Sequence, residues 1–280
     1  MTSTTSTHPI LVRTIRGVLQ EGSMQVGRFE AAVLLAHVIG KRREYLIAHD
    51  DEELSDASVL RFQMLVSLRL AGTPVPYLTG RQEFFGRNFF VDDAVLIPRP
   101  DTEVLVEQAL VVAPAAPKVL DLGTGSGCIA VTLALEIPGS TVTATDASEK
   151  ALVVARKNAE ALDAAVEFRS GSWWEAVGDE TFDLIVSNPP YIREDDEHLK
   201  ALGCEPITAL TAPENGLADL RAIVAGAMTH LKPNGWLLLE HGYDQGEAVR
   251  EALLDAGFAA VHTKRDYGDN ERVTAGRRPS

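Results

Sequence analysis

The chain has 280 residues, 45% of them hydrophobic and 24% charged, which is long enough for about two domains with sizeable cores. No apolar run approaches the roughly 18 residues a membrane-spanning helix needs, and the polar opening "MTSTTSTHPI" lacks the basic-then-apolar pattern of a secretion signal. The net charge of −14 falls wholly beyond residue 80, because residues 1–80 balance eight Lys/Arg against eight Asp/Glu. So acidic a surface repels a phosphate backbone and counts against a general nucleic-acid binder, a local basic patch aside. Cys128 and Cys204 lie in no CxxC or Cys/His cluster, and the histidines are scattered. Neither a disulfide framework nor a metal site is expected, and a reducing cytoplasm fits.

In chain order, the polar tail is followed by a helical region. "RFEAAVLLAHVIG" places Ala31, Leu34, Leu35 and Val38 on one face, and "SDASVLRFQMLVSLRLAG" does the same with Val59, Phe62, Leu65, Val66 and Leu70. Ser55 reads as the N-cap of the second helix and Gly72 as its stop. "AGTPVPYLTG" breaks the pattern, and "EFFGRNFFV" reads as a short β-hairpin about Gly86. From about residue 118, short β-branched runs ("KVLDLG", "TVTATD", "VEFRSG", "FDLIVSN", "WLLLEHG") alternate with helical ones such as "EKALVVARKNAEAL". This alternation predicts βαβ crossovers and a parallel sheet covered on both faces. Two further strand-like runs flank the turn signal "YGDN" near the end.

"VLDLGTGSGCIAVTLAL" is a strand, a glycine-rich turn and a helix. Gly123, Gly125 and Gly127, with Thr124 and Ser126 between them, allow a tight turn and close approach of a ligand to the backbone. A dinucleotide fingerprint would read G-x-G-x-x-G, whereas here it is G-x-G-x-G with Cys128 next. Asp121 at the strand end disfavours a pyrophosphate and suits a cationic amine such as the ammonium of S-adenosylmethionine. Asp146 ends the next strand, 25 residues on, where an acid can accept both hydroxyls of a ribose. The loop alone leaves another nucleotide open; loop, Asp121 and Asp146 together favour S-adenosylmethionine.

"FDLIVSNPPYI" leaves a core strand abruptly, since two prolines can neither extend it nor cleanly start a helix. Asn188 then stands at a strand end, where ligands bind in doubly wound sheets. Its side-chain oxygen and the Pro189 carbonyl can accept the two protons of a planar –NH2, with Pro190 adding a second carbonyl without an N–H and Tyr191 lying against a flat substrate face. The bland alternative is a Pro-Pro turn capped by an asparagine, and it weakens beside a matching cofactor loop.

With both motifs in place, the chain resembles the S-adenosylmethionine-dependent methyltransferases of planar –NH2 nitrogens. Within them it is similar to the HemK-like release-factor glutamine N5-methyltransferases, through "GTPVPYLTGRQEFFGRNFFV", "VLIPRPDTEVLVEQAL", "LDLGTGSG", "SNPPYI", "CEPITAL", "LLLEHGYDQGEAVR" and "RDYGDNERVTAGR". The resemblance implies an α/β fold: a doubly wound Rossmann-like methyltransferase sheet with a smaller N-terminal helical domain joined by a β-hairpin. It implies residues 1–80 as a substrate-recognition domain, 81–117 as hairpin and linker, and 118–280 as the methyltransferase domain. Asp121, Gly123 to Gly127, Asp146 and Trp173 would hold S-adenosylmethionine, with S-adenosylhomocysteine as product and Trp174 the lesser candidate of the pair. Asn188 would touch both cofactor and substrate, and Asn188, Pro189, Pro190 and Tyr191 would hold the glutamine of a release factor's Gly-Gly-Gln loop. Arg99 and Glu103 of "IPRPDTE" would shape the pocket. The chain departs from the family in two places. Ser172 stands where an acid able to accept the adenine amino group is common, and Cys204 where an aromatic is common before "EP"; Cys204 is not read as a nucleophile. Three alternatives stay open: a ribosomal-protein glutamine methyltransferase, an N6-adenine enzyme using the same clamp on a flipped base, and a non-catalytic binding protein that kept the fold.

Overall fold

A computed structural model describes residues 13–280, the side chains of His198 and Ala201 aside; the expected polar tail over residues 1–10 lies outside them. The chain divides into two units between Thr79 and Gly80.

The first unit is helical: α1 Ile15–Val26, α2 Arg28–Ile39, α3 Arg43–Ala48, α4 Asp56–Leu70 and α5 Val75–Thr79. Local chemistry sets the starts. The Thr14 hydroxyl accepts from the Gly17 N–H, and the Ser55 hydroxyl from the Ser58 N–H, each satisfying an orphan donor of the first turn. Ile15, Leu34, Leu35, Phe62 and Val66 form its core. Two sequence expectations shift. Leu70 is 58% exposed, because α4 ends there and Ala71 caps it just before Gly72. The Pro-containing stretch read as a break carries α5, with Pro76 near its start, where a missing N–H costs nothing.

The second unit opens with an antiparallel hairpin, β1 Arg81–Phe84 and β2 Arg87–Phe90. It is no free linker. Phe84 and Phe89 are fully buried, ring edge to face at 6.1 Å. The elements that follow are α6 Glu103–Val112, β3 Lys118–Leu122, α7 Cys128–Glu136, β4 Thr141–Asp146, α8 Glu149–Ala161, β5 Val166–Ser170 and β6 Phe182–Ser187. Then come α9 Pro213–Gly216, α10 Ala218–His230, β7 Leu231–Glu240, α11 Gly246–Asp255, β8 Ala259–Arg265 and β9 Glu271–Arg277. Asn158 of α8 is fully buried, accepts from the Phe90 N–H (2.6 Å) and donates to the carbonyls of Phe90 (3.0 Å) and Ser126 (2.8 Å), tying hairpin to glycine loop.

The main sheet has seven strands in the order β5-β4-β3-β6-β7-β9-β8. β5 to β7 run parallel, and β9 and β8 add an antiparallel edge, so the sheet is mixed rather than parallel throughout. Alternate strand residues feed two cores. Val119, Leu184 and Leu238 pack with α6, α7 and α8, while Leu120, Ile185 and Leu237 pack with α10 and α11. β3 pairs with β4 on one side and β6 on the other. Their carboxyl ends therefore flank the point where strand order reverses, the place such sheets bind ligands. Among the described residues no helix is long and apolar enough to cross a membrane.

Candidate active site

A cavity of about 320 Å³ opens at that point. One wall is the glycine loop between β3 and α7. Gly123 to Ser126 line it, whereas Gly127 lies behind, with φ +81° and a Cβ there falling 3.1 Å from that of Ala155. Gly125 has φ +54° and open space on its Cβ side, so a ligand can approach its backbone.

Asp146, at the tip of β4, also lines the cavity. Its carboxylate accepts from the Gly125 N–H and the Ser148 N–H, both at 2.8 Å, which binds the loop to the strand end and leaves lone pairs for hydroxyl donors. Burial raises its pKa. Asp121 is fully buried beneath the loop and does not reach the wall. One oxygen accepts from the Thr124 hydroxyl at 2.6 Å, and the other has no hydrogen-bond partner among the described residues. Burial pushes this carboxyl up to about 7, against the Thr124 hydrogen bond.

The two tryptophans separate clearly. Trp173 lines the cavity with a left-handed backbone (φ +44°), an arrangement that costs about 1–3 kcal/mol in a non-glycine residue. A capping box between Ser172 and Glu175 holds the turn around it, so Ser172 acts as a cap. Trp174 instead donates to the Ala222 carbonyl (3.1 Å) and stacks on His230. An acid does reach this end of the cavity, from another element. Asp219, in the first turn of α10, lines the wall beside Trp173, and burial raises its pKa.

Opposite stands "SNPPYI". Asn188 and Pro190 line the cavity; Pro189 is buried and Tyr191 sits behind the rim. The Asn188 amide donates to the Thr102 hydroxyl at 3.2 Å, leaving its oxygen unengaged by that contact. The Tyr191 ring, expected on the substrate face, packs toward the α10–α11 core, and its hydroxyl donates to Glu240 at 3.4 Å. Burial raises the phenol's pKa, keeping it neutral. Its carbonyl accepts from Gln245 (3.0 Å), and a Cβ at Gly216 would fall 2.0 Å from that same oxygen, so only glycine fits against the turn.

The segment before α6 closes the cavity. Arg99 lines it and pairs with Glu205, whose other oxygen accepts from the Ile97 N–H at 3.0 Å. Glu103 does not line it. Its carboxylate accepts from the Phe85 N–H (2.8 Å), fixing the hairpin to the start of α6, because the helical turn after Pro100 swings this side chain away and leaves Thr102 on the wall. Thr102, Glu205, Asp219 and Glu240 are the polar groups that reading the sequence passed over. Three of them sit inside the quoted motifs, and an acid in a helix's first turn was the one signal for Asp219.

The geometry is thus a nucleoside-sized cleft with a ribose-type acceptor at one end and an amide oxygen at the other. The Methyltransferase small domain family matches residues 100–265, and the PrmC N-terminal domain matches residues 11–80. A methyltransferase from Pyrococcus furiosus shares the fold, with a TM-score of 0.56 over 78% of this chain and 98% of that one at 19% identity. Release factor glutamine methyltransferase of Bordetella pertussis is 48% identical over 89% of this chain and 94% of its own. That of Escherichia coli K12 is 45% identical over 89% and 92%. At that identity across so much of its length, this chain belongs to the release factor glutamine methyltransferases.

Proposed function

We propose that the protein transfers the methyl group of S-adenosylmethionine to the side-chain amide nitrogen of the glutamine in a release factor's Gly-Gly-Gln loop. The observation that carries this reading is the meeting of glycine loop, Asp146 and the Asn188 amide in one cavity. The residues present fit the cofactor. Gly125 leaves open space for close approach, Asp146 keeps acceptor capacity for two ribose hydroxyls, and Trp173 with Asp219 offers a flat face beside an acceptor for the adenine. Asp121, with its unpartnered buried oxygen, stands ready to balance a nearby ammonium from beneath the loop.

The bound cofactor supplies a methyl group activated on a sulfonium. The chain's part is positioning. The Asn188 oxygen and the Pro189 carbonyl accept the two amide protons and aim the nitrogen lone pair, while Pro190 closes the wall. Orientation of this kind lowers barriers by roughly 7–11 kcal/mol in favourable cases. No strong base is needed, because the methylated nitrogen is acidic and releases a proton to water.

The helical unit supplies partner recognition in this reading, since one glutamine side chain offers too little surface for specificity. It exposes Phe29, Ile47, Leu60, Met64 and Leu68, with Leu60, Met64 and Leu68 in line along α4. Changing those three to serine should raise KM for the intact factor about tenfold or more without altering turnover of a Gly-Gly-Gln peptide. An unchanged KM would remove this unit from recognition.

The deciding assay offers labelled S-adenosylmethionine with release factor, the same factor with its Gly-Gly-Gln glutamine changed to alanine, ribosomal protein and DNA. Label on the intact factor alone is the expected result. Label on ribosomal protein or DNA would overturn the partner, and none anywhere would overturn the enzyme reading.

A further inference from the structure

Two adjacent prolines leave the Asn188–Tyr191 turn short of donors. Neither Pro189 nor Pro190 has an N–H, so the turn cannot close on a hydrogen bond donated by either. A carbonyl that must receive a substrate proton is then aimed only if the chain is held from outside. On the near side the hold is Ser187, fully buried, whose hydroxyl donates to the Leu122 carbonyl at 2.7 Å. On the far side it is Gln245, the residue before α11 and 54 positions from Tyr191 in the chain.

Gln245 is 7% exposed, and its three partners fix which way its amide points. Its oxygen accepts from the Gly242 N–H at 2.9 Å, a group that can only donate. Its nitrogen donates to the Tyr191 carbonyl at 3.0 Å and the Asn215 carbonyl at 3.2 Å, groups that can only accept. No flipped amide satisfies this set. The chain also bends to meet it. Glu214 and Asn215 both have left-handed backbones, φ +55° and +58°, and Gly216 follows at +82°. Such conformations cost about 1–3 kcal/mol in each non-glycine residue. At Gly216 a Cβ would lie 2.8 Å from the Gln245 nitrogen as well as on the Tyr191 oxygen. A buried amide, a strained turn and a glycine with no room for a side chain thus converge on one carbonyl, just beyond Asn188.

We propose that Gln245 is a positioning residue for methyl transfer. Through the Tyr191 carbonyl it fixes the backbone of the Asn188–Tyr191 turn, and so the aim of the Asn188 oxygen and the Pro189 carbonyl at the substrate amino group. The proposal rests on the reading of that turn as the amide clamp. Gln245 does not line the cavity, so it acts through the turn alone. Its loss leaves the glycine loop and Asp146 in place and changes the orientation of the reacting nitrogen, where a displacement of about 1 Å can cost on the order of a hundredfold.

The test uses the full-length enzyme with intact release factor, measuring kcat, KM, cofactor Kd by calorimetry, and Tm. Gln245→Met keeps the length of the side chain and removes all three hydrogen bonds. Gln245→Glu, once ionised, keeps the acceptor for Gly242 and removes both donors. Each should lower kcat on the order of ten- to a hundredfold, with KM and cofactor Kd within about threefold of wild type. Leu253→Ala, on the buried face of α11, is the control for stability: it should lower Tm and leave kcat within about threefold. In an Asn188→Ala background, Gln245→Met should cost less than about threefold more, since aiming one acceptor matters little once its pair is lost. A folded Gln245→Met enzyme within about threefold of wild type in kcat, beside a slow Asn188→Ala, would overturn the proposal. So would an equal slowing by Leu253→Ala, or an undiminished cost of Gln245→Met in the Asn188→Ala enzyme. Should methionine unfold the protein, Gln245→Glu decides by the same limits. If Asn188→Ala itself is near wild type, the clamp reading beneath the proposal is what fails.

Discussion

At the β3–β4 end of the cavity the wall is mostly backbone; at the β6–β7 end one side-chain amide carries the recognition. Behind each wall lies a buried carboxyl, Asp121 and Glu240, each pushed up to about 7 by burial and each with one oxygen that has no hydrogen-bond partner among the described residues. Each wall also carries a threonine hydroxyl: that of Thr124 donates to Asp121, and that of Thr102 accepts from Asn188. The difference lies in what the threonine holds. Thr124 belongs to the glycine loop, so its acid stabilises the shape of a chain segment. Thr102 meets the Asn188 amide, the side chain that carries recognition at this end. Damage to the first wall should therefore appear in cofactor binding, and damage to the second in rate.

Asn188→Ala is the strongest challenge to that division. It removes one preorganised acceptor and should cost on the order of 10²-fold or more in single-turnover rate. Calorimetry should find cofactor affinity almost untouched. A rate within about threefold of wild type would abolish the distinction between the walls. Lost cofactor affinity with an unchanged rate would reverse it.

Asn158→Ala tests the backbone wall through its support. The alanine leaves the Phe90 N–H and the Ser126 carbonyl without partners in a fully buried position. Stranding such groups costs about 1–3 kcal/mol each, so a stability loss of about 2 kcal/mol is a conservative expectation. In a unit of this size that lowers Tm by roughly 4–8 °C in a scanning experiment. Cofactor affinity should weaken too, because Ser126 is in the loop. A drop under about 1 °C would mean that hairpin and loop hold their places without Asn158.

How much of this could be read in advance depends on the range of the interaction. The glycine loop, Asp146 and the Asn188 turn are short segments whose chemistry is local: a strand, a punctuating residue, a helix start. Thr102 and Asn188 are 86 residues apart, and Ile97 and Glu205 108 apart. No periodicity records such pairings, since they depend on which strand ends the sheet order places side by side. Glu103 shows the converse error. It lies next to Thr102 in a quoted motif, yet a step along the turn carries it from the cavity to the hairpin. Leu70 falls on the same helical face by periodicity, yet as the last residue of α4 it is 58% exposed, since no further turn continues that face over the core. The mixed edge of the sheet was signalled by the "YGDN" turn between two strand-like runs, which a parallel crossover cannot accommodate.

The mildest change, Asp146→Asn, sharpens the comparison most, because it keeps shape and removes one charge. Aspartate accepts from both Gly125 and Ser148 at 2.8 Å while keeping capacity for a ribose. Asparagine has one acceptor oxygen, and its amide nitrogen turns a donor toward a second donor. Either the loop loses its tether or the ribose loses a partner, and a charge-assisted hydrogen bond weakens in both cases. About a tenfold loss of cofactor affinity, near 1.4 kcal/mol, is expected, with kcat at saturating cofactor nearly unchanged. The pH dependence gives an independent handle. Burial holds the Asp146 carboxyl above the ordinary range, so wild-type affinity should decline on acidification earlier than an exposed aspartate would allow. The asparagine enzyme should lack that decline. Should the asparagine enzyme bind cofactor normally but turn over slowly, the acid at β4 would belong with the clamp, and the two walls would be one machine.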